Sequence, residues 1–148
     1  MCYSFKDHTK VILDHQKFIE EERKRGALKY EILYSESIKF GDHTLYRIRA
    51  LKNFDDVKKG DIGGYIESEN NLSHMNNCWV YDDAKVLEDA AVRDNAKAYN
   101  DTLVSENAVL CFNAQIHDNV KLYGESTVDG NAKVYGNVEL FDESVITE

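Results

Sequence analysis

The sequence predicts a mainly β protein built as a solenoid, in which short strands stack into successive coils. From Val80 to Ile146 an aliphatic residue or alanine recurs at every sixth position. This period fits neither an amphipathic helix, whose apolar face returns every 3.6 residues or so, nor an alternating strand of period two. Unbroken repetition of a short unit is typical of a solenoid with one strand and one corner per repeat. The series continues through Val86, Val92, Ala98, Val104, Leu110, Ile116, Leu122, Val128, Val134 and Leu140.

A second position of the repeat, four residues after each aliphatic, is mostly small and is predicted to point inward near a tight corner. Its members are Ala84, Ala90, Ala96, Thr102, Ala108, Ala114, Val120, Ser126, Ala132, Val138 and Ser144. The position before it is mostly Asn or Asp, as at Asp83, Asn95 and Asn113. Because Asn and Asp tolerate left-handed backbone angles, we predict that these residues form the corners. Glycine occupies the slot one residue earlier, at Gly124, Gly130 and Gly136, which also suits a bend.

The repeat unit has the form Val-x-x-Asp/Asn-Ala-x, as in Val86-Leu87-Glu88-Asp89-Ala90-Ala91. It resembles the hexapeptide repeat of left-handed parallel β-helix proteins. The stretch from Asp61 to Ser73, followed by Cys78-Trp79-Val80, is similar to the opening segment of a bacterial and prophage subgroup described as transferase-like. The resemblance extends over roughly residues 29–148. It implies a left-handed parallel β-helix of about four to five triangular coils, with three hexads in each coil.

The segment before the repeats predicts one helix and one hairpin. Residues at helical spacing and a basic run before Gly26 indicate a helix from about residue 7 to 25, with cations near its C-terminal end. Two β-rich runs on either side of Gly41-Asp42 indicate a β-hairpin. A solenoid needs a cap over its open core and strand edges. We therefore divide the chain into an N-terminal helix and hairpin cap, residues 1–60, and a β-helix, residues 61–148.

Charge separates these two parts. Residues 1–60 carry 13 Lys and Arg against 10 Asp and Glu, a net charge of +3, whereas residues 61–148 carry 5 against 17, a net charge of −12. An acidic solenoid is a poor partner for nucleic acid or an anionic membrane, so we expect direct binding to neither. Apolar runs too short to span a bilayer and the lack of a signal-peptide core predict a cytoplasmic protein of a bacterial cell or a phage-infected host.

Three cysteines, Cys2, Cys78 and Cys111, are too few and too irregularly spaced for a disulfide framework or a zinc ribbon. We predict free thiols. His74 and Cys78 fall in phase with the inward pair of an early hexad, but two ligands make an incomplete zinc site, so we predict buried cap residues and no metal.

Stacking every eighteenth residue predicts an outward column of aromatic side chains. Two readings of it stay open: the rings stabilise the strands by packing on one another, or they form a binding stripe for another protein. In the second reading the binding residues are Trp79, Tyr81, Tyr99, His117 and Tyr135, with Asp82, Asp101 and Asp118 at the adjacent corner. Another outward column, Ala91, Val109, Thr127 and Val145, is apolar and is predicted to be an interface in a homodimer or homotrimer.

The family resemblance implies an alternative function. Acyltransferases of this family use a histidine as general base with an acyl-CoA donor, and His117 is the histidine of the regular repeat. The uninterrupted repeats leave no protruding loop to build a donor cleft, so we predict no catalytic residue and no cofactor. The preferred hypothesis is a non-catalytic protein-interaction module. Its specific form is an anti-defence inhibitor, such as an anti-CRISPR protein, encoded by a phage or mobile element. A purely structural oligomer is the third hypothesis.

Overall fold

The computed structural model describes residues 8–148, with side chains described from residue 16 onward. One helix, α1 (His8–Arg25), precedes the hairpin strands β1 (Tyr30–Phe40) and β2 (His43–Ala50). The predicted helix is confirmed, and so is the predicted hairpin with its turn at Gly41-Asp42. Strand β3 (Ile62–Ile66) and a short 3-10 helix (Glu69–Asn71) then lead into the repeats.

The repeats form strands of two residues each, one strand for each hexad. In chain order they are β4 (Trp79–Val80), β5 (Lys85–Val86), β6 (Ala91–Val92), β7 (Lys97–Ala98), β8 (Leu103–Val104), β9 (Val109–Leu110), β10 (Gln115–Ile116), β11 (Lys121–Leu122), β12 (Thr127–Val128), β13 (Lys133–Val134), β14 (Glu139–Leu140) and β15 (Val145–Ile146).

Every third strand pairs in parallel, which produces three flat faces. Strands β4, β7, β10 and β13 form the tyrosine face, and β6, β9, β12 and β15 form the third face. The hairpin face has the order β1-β2-β3-β5-β8-β11-β14, with antiparallel pairing of β1, β2 and β3. Its five parallel strands, from β3 to β14, correspond to a β-solenoid of about five turns. The predicted mainly β solenoid with one N-terminal helix is therefore confirmed.

The six-residue period arises because both recurring positions face the solenoid core. The aliphatics from Val80 to Val128 and the small residues from Ala84 to Ser126 are 0 % exposed. Alanine recurs in the second series because the chain turns sharply there and leaves little volume. Backbone groups pair with the neighbouring coil, as where the Tyr81 N–H donates to the Ala98 carbonyl at 2.8 Å. The repeat thus satisfies its polar backbone while removing its apolar side chains from water.

The corners differ from the prediction by one residue. Left-handed backbone angles occur in the slot before the predicted Asn/Asp position, at Asp82 (φ 55°) rather than Asp83, and at Asp94 (φ 60°) rather than Asn95. Most polar residues in this slot form a hydrogen bond to the next coil. In six of these residues the side chain accepts from the backbone N–H of the equivalent residue one coil later, whereas Phe112 has the same left-handed angle (φ 55°) without an acceptor: the six are Asp82, Glu88, Asp94, Asn100, Glu106 and Asp118. Examples are Asp82 Oδ2 with the Asn100 N–H and Asn100 Oδ1 with the Asp118 N–H, both at 2.8 Å.

Asn100→Ala is expected to lower the free energy of unfolding by about 1–2 kcal/mol. Alanine at φ 57° is strained by about 1 kcal/mol, and the bond accepted from the Asp118 N–H is lost. Asn100→Gly removes the bond without the strain and should cost roughly half as much. Urea denaturation measures both changes. Asp101→Ala, at the exposed neighbouring position, should cost less than about 0.5 kcal/mol; an equal cost at the two positions would contradict the role of the corner bond.

The first turn of the solenoid depends on two glycines and one buried asparagine. Gly63 and Gly64 lie against the next turn so closely that a Cβ would stand 2.7 Å from the Val80 carbonyl oxygen and 2.5 Å from that of Ala84, respectively. The fully buried Asn71 side chain donates to the carbonyls of Glu88 and Ala90, at 3.0 and 2.8 Å. It also accepts from two backbone N–H groups. These contacts join the irregular first turn to the regular second one.

The hairpin both extends its sheet and packs on the outside of it. Leu45 of β2 forms an apolar cluster with Leu87 and Leu103, two outward residues of the hairpin face, and all three are buried. At the tip of the hairpin, His43 Nδ1 lies 2.8 Å from Glu67 Oε2. The hairpin therefore covers the early coils of this face, whereas Phe141 at the far end is 57 % exposed.

Candidate functional site

The aromatic column, Tyr81, Tyr99, His117 and Tyr135, forms one continuous stack on the tyrosine face. The ring centroids are separated by 4.4, 4.4 and 4.5 Å in chain order, and the interplanar angles are 16°, 8° and 14°. These separations follow from the strand spacing of about 4.8 Å, because each ring follows a strand of the same sheet. The predicted stacking is confirmed.

The start of the column is fixed by the loop between β2 and β3. The Tyr81 hydroxyl donates to Asp56 Oδ1 at 2.7 Å, and Lys97 forms an ion pair with Asp55 of the same loop. Burial, assisted by the bond to Asp56, raises the pKa of Tyr81 far above its usual range. Burial also raises the pKa of Tyr99. Both phenols therefore stay protonated at physiological pH.

His117 is sandwiched between two tyrosine rings, and its Nε2 lies 3.1 Å from Gln115 Oε1. Burial lowers the pKa of His117, so the ring is neutral at pH 7. A neutral imidazole is the protonation state that a general base needs, but its described partner is an amide rather than an orienting carboxylate. Both ring faces are occupied by the stack, so only its edge is available.

Stacking determines what the column can offer to a ligand. The ring faces contact one another, so the side of the column presents ring edges and polar ring atoms. Tyr135, the last ring of the column, is 53 % exposed, whereas Tyr81, Tyr99 and His117 are partly buried. Beside the column, Lys133 is exposed. The result is a flat, preordered aromatic surface with few side-chain torsions left to fix on binding.

Trp79 does not belong to this surface, contrary to the prediction. The first residue of β4 is 1 % exposed, because the segment before the solenoid packs over it. Its indole ring makes edge contacts with Phe54 at 5.3 Å and with Tyr30 at 6.2 Å. Trp79 is therefore a core residue at the junction between the hairpin and the first coils.

The corner beside the column is polar and acidic. Two of its predicted binding residues have structural bonds: Asp82 accepts from the Asn100 N–H, and Asp118 accepts from the Gly136 N–H at 2.9 Å. Asp101 is exposed. A shallow open depression of about 420 Å³ runs along this corner. Its lining residues are Asn100, Asp101, Asp118, Asn119, Gly136 and Asn137.

Burial also changes the predicted oligomer interface on the third face. Ala91 and Val109 are 8 % and 4 % exposed in the single chain, so they are not available to a second copy. Thr127 is partly buried, and Val145 is 62 % exposed. Cys111, next to this column, is disulfide-bonded, which corrects the prediction that it is a free thiol. Cys78 is free and buried, as predicted.

A buried polar cluster closes the N-terminal end of the solenoid, and sequence reasoning found only part of it. The imidazole of His74 stacks on Tyr30 at 4.0 Å, accepts from the Lys29 N–H through Nδ1, and lies 3.2 Å from Glu69 Oε2 through Nε2. Arg23 of α1 bonds the same carboxylate at 2.9 Å. His74 is in phase with the inward positions of the repeat, and this predicted its burial. Lys29 and Glu69 lie outside the repeat and gave no such signal.

Acidification should loosen this cluster through His74. Burial lowers the pKa of His74 below its usual value of 6.5, so the unfolded chain binds the proton more readily. The stabilisation is complete above pH 6.5 or so and is lost as the pH falls through the folded pKa. A protonated Nδ1 cannot accept from the Lys29 N–H, which costs about 1 kcal/mol. Urea denaturation between about pH 7.5 and 5.5 should show a loss that His74→Gln reduces, with the remainder contributed by His117, whose pKa burial also lowers.

His43→Gln is the matched control. Its bond to Glu67 raises the pKa of His43, so the contribution of His43 is present at acidic pH and is lost as the pH rises through the raised value. Removing His43 should leave intact the loss of unfolding free energy that acidification causes. An unchanged acid-side loss in His74→Gln would contradict the assignment.

Within residues 8–148, no helix has the length and apolar character needed to cross a membrane. The described side chains also contain no group of three or more His, Cys, Asp or Glu residues arranged to hold a metal ion.

The fold and this surface define a β-solenoid with an aromatic column on one face. No protein-family model matches the chain. Over 48 residues, 32 % of the chain, it is 40 % identical to the "Uncharacterized acetyltransferase YdcK" of Escherichia coli strain K12. The match spans only 15 % of the length of that relative. The similarity is therefore to an uncharacterized acetyltransferase, over a part of each chain.

Proposed function

We propose that this protein is a non-catalytic binding scaffold that engages another protein through its tyrosine face. The observation that carries the proposal is the aromatic column. Its rings are held at 4.4–4.5 Å by stacking, and at the far end of this face Lys133 and Tyr135 are exposed. The early coils of the other faces are buried, as at Leu87 and Val109. Tyrosine is enriched in protein interfaces because it supplies contact area at a small entropic cost.

The acidic corner beside the column favours a partner with a basic groove. The solenoid, residues 61–148, has a net charge of −12 from 5 basic and 17 acidic residues, and Asp101 at this corner is exposed. Such a surface suits an inhibitor that occupies the nucleic-acid groove of a host enzyme, including an anti-defence inhibitor encoded by a phage or mobile element. Association should then weaken as salt increases, because screening reduces long-range attraction.

The experiment is chemical cross-linking in the native cell, identification of the captured protein, and measurement of its affinity by calorimetry. The double variant Tyr99→Ala/Tyr135→Ala should weaken binding at least tenfold or so, the effect of losing interface anchors. Tyr34→Ala removes a tyrosine that is 67 % exposed on the hairpin and should leave the affinity unchanged. Equal affinities in the two variants would place the binding surface elsewhere.

An acyltransferase is the second candidate function, supported by the partial similarity to an acetyltransferase and by the lowered pKa of His117. In that reading His117 would act as the base and acyl-CoA as the donor. An acetyl-CoA turnover assay decides between the two functions. Turnover that is lost in His117→Ala, with folding retained, would refute the non-catalytic proposal.

A homodimer or homotrimer is also part of this proposal. With Ala91 and Val109 buried, the accessible remainder of the predicted interface is Thr127 and Val145. Analytical ultracentrifugation of the wild type and of Val145→Asp measures how much this end of the third face contributes to self-association. A self-associating protein with no other captured partner would favour the structural oligomer.

A further inference from the structure

Lys29 is a buried cation without a carboxylate among its described partners. The side chain is 0 % exposed. Its Nζ donates to the Cys78 carbonyl at 2.6 Å and to the Asn76 carbonyl at 3.2 Å, and it lies 4.9 Å from the centroid of the Phe54 ring. Burying an ammonium group among neutral acceptors is unfavourable. Burial accordingly lowers the pKa of Lys29, which increases the fraction of neutral, nucleophilic amine.

The same amine lies against a thiol. Lys29 Nζ is 3.4 Å from Cys78 Sγ, and Cys78 is also 0 % exposed. The two carbonyl bonds hold the nitrogen in this position, so the two reactive atoms meet without any rearrangement of the chain. The pair joins residues 49 positions apart in sequence. Two nucleophiles in van der Waals contact become a cross-linking site once one of them is oxidised.

The thiol is separated from solvent by a short turn. Cys78 Sγ contacts the carbonyls of Ser73 and Met75, and residues 75–77 are exposed. Burial raises the pKa of the Cys78 thiol, which slows its oxidation in the closed state. Oxidation of the sulfur therefore requires local opening of this turn to a small oxidant, and reclosing would return the sulfur to the amine.

We propose that Lys29 and Cys78 form a redox-dependent covalent cross-link, a sulfenamide. In the first step hydrogen peroxide oxidises the Cys78 thiol to a sulfenic acid and is itself reduced to water. In the second step the Lys29 amine attacks the sulfur, the S–N bond forms, the S–O bond breaks, and the oxygen leaves as water with the amine proton. Sulfenic acids condense in this way with nitrogen nucleophiles and with thiols. Two hydrogen atoms are lost overall, and a thiol reductant reverses the cross-link.

The cross-link would staple the N-terminal cap to the solenoid. Lys29 immediately precedes β1, and Cys78 immediately precedes β4, so the bond closes a long loop across the junction. Closing a loop of this kind stabilises a protein chiefly by restricting the unfolded chain. The peroxide-treated protein should therefore melt several degrees higher than the untreated protein.

The full-length protein is treated with hydrogen peroxide, digested without reductant, and analysed by peptide mass spectrometry. The expected product is a peptide pair joined between Lys29 and Cys78, lighter by two hydrogen atoms and released by dithiothreitol. A disulfide gives the same change in mass, so the fragment spectrum must place the bond at Lys29.

Lys29→Arg is the matched control, because it keeps the charge and donor groups but replaces the amine with a poor nucleophile. This variant should give no cross-linked pair and should accumulate the sulfenic acid, trapped by dimedone. Cys78→Ser should remove both products. A wild-type protein that yields only sulfinic acid at Cys78, or no change at Cys78 under peroxide, would overturn the proposal, as would a melting temperature unaffected by the cross-link.

Discussion

Trp79→Ala is expected to lower the free energy of unfolding by about 3–5 kcal/mol, the usual cost of truncating a buried aromatic side chain. The indole is 1 % exposed and lies between Phe54 of the β2–β3 loop and Tyr30 of β1. Alanine would leave a cavity at the junction between the hairpin and the solenoid, where few atoms can move in to fill it. Urea denaturation followed by circular dichroism measures the loss.

Tyr135→Ala provides the comparison for Trp79→Ala. The two aromatic residues belong to the same sheet, but Tyr135 is 53 % exposed, so its removal should cost less than about 1 kcal/mol. If the two substitutions had similar costs, the placement of Trp79 in the core would be wrong. The predicted role of Trp79 as an exposed binding residue would then be restored.

Gly64→Ala is expected to destabilise the protein by about 3 kcal/mol, at the upper end for overpacking. The added Cβ would lie 2.5 Å from the Ala84 carbonyl oxygen and 2.7 Å from Val80 Cγ1. The backbone would have to move, and the bond from the Tyr65 N–H to that carbonyl, 2.9 Å long, would weaken. Thermal and urea unfolding both measure this effect.

Gly41→Ala is the control for Gly64→Ala, because it introduces backbone strain at a position where a Cβ has enough space. Gly41, in the hairpin turn, has a φ of 62° and no atom within 4 Å of a built Cβ, so alanine there meets only the left-handed strain of about 1 kcal/mol. A larger loss at Gly41 than at Gly64 would contradict the close contact between β3 and the following coil.

The aromatic column was predictable from sequence because the coil length is constant. With eighteen residues in each coil, Tyr81, Tyr99, His117 and Tyr135 must stack, and the structure shows that they do. The left-handed slot was placed one residue late because Asn and Asp are common at both positions. Their conformational preferences do not distinguish the slots, and the bond that Asn100 Oδ1 accepts from the Asp118 N–H is seen only in the structure.

The repeat could not predict which of its outward residues are buried in the folded chain. Trp79 occupies the same slot as Lys97 and Lys133, and the period assigns all of them to the outside. Ala91 and Val109 were likewise predicted to point outward, and both are buried. Lys29 and Glu69 lie outside the repeats, so their contacts with Cys78, His74 and Arg23 depend on how the cap meets the solenoid.

The sequence by itself determined the solenoid, its three faces and the vertical register of every outward column. Those properties are periodic and local: an aliphatic residue every six positions has a single way to face a common core. Tertiary structure alone decided which columns remain accessible, because the hairpin and its following loop pack over some of them. It also placed Lys29 beside Cys78, since a contact across 49 residues is set by packing and leaves no local pattern.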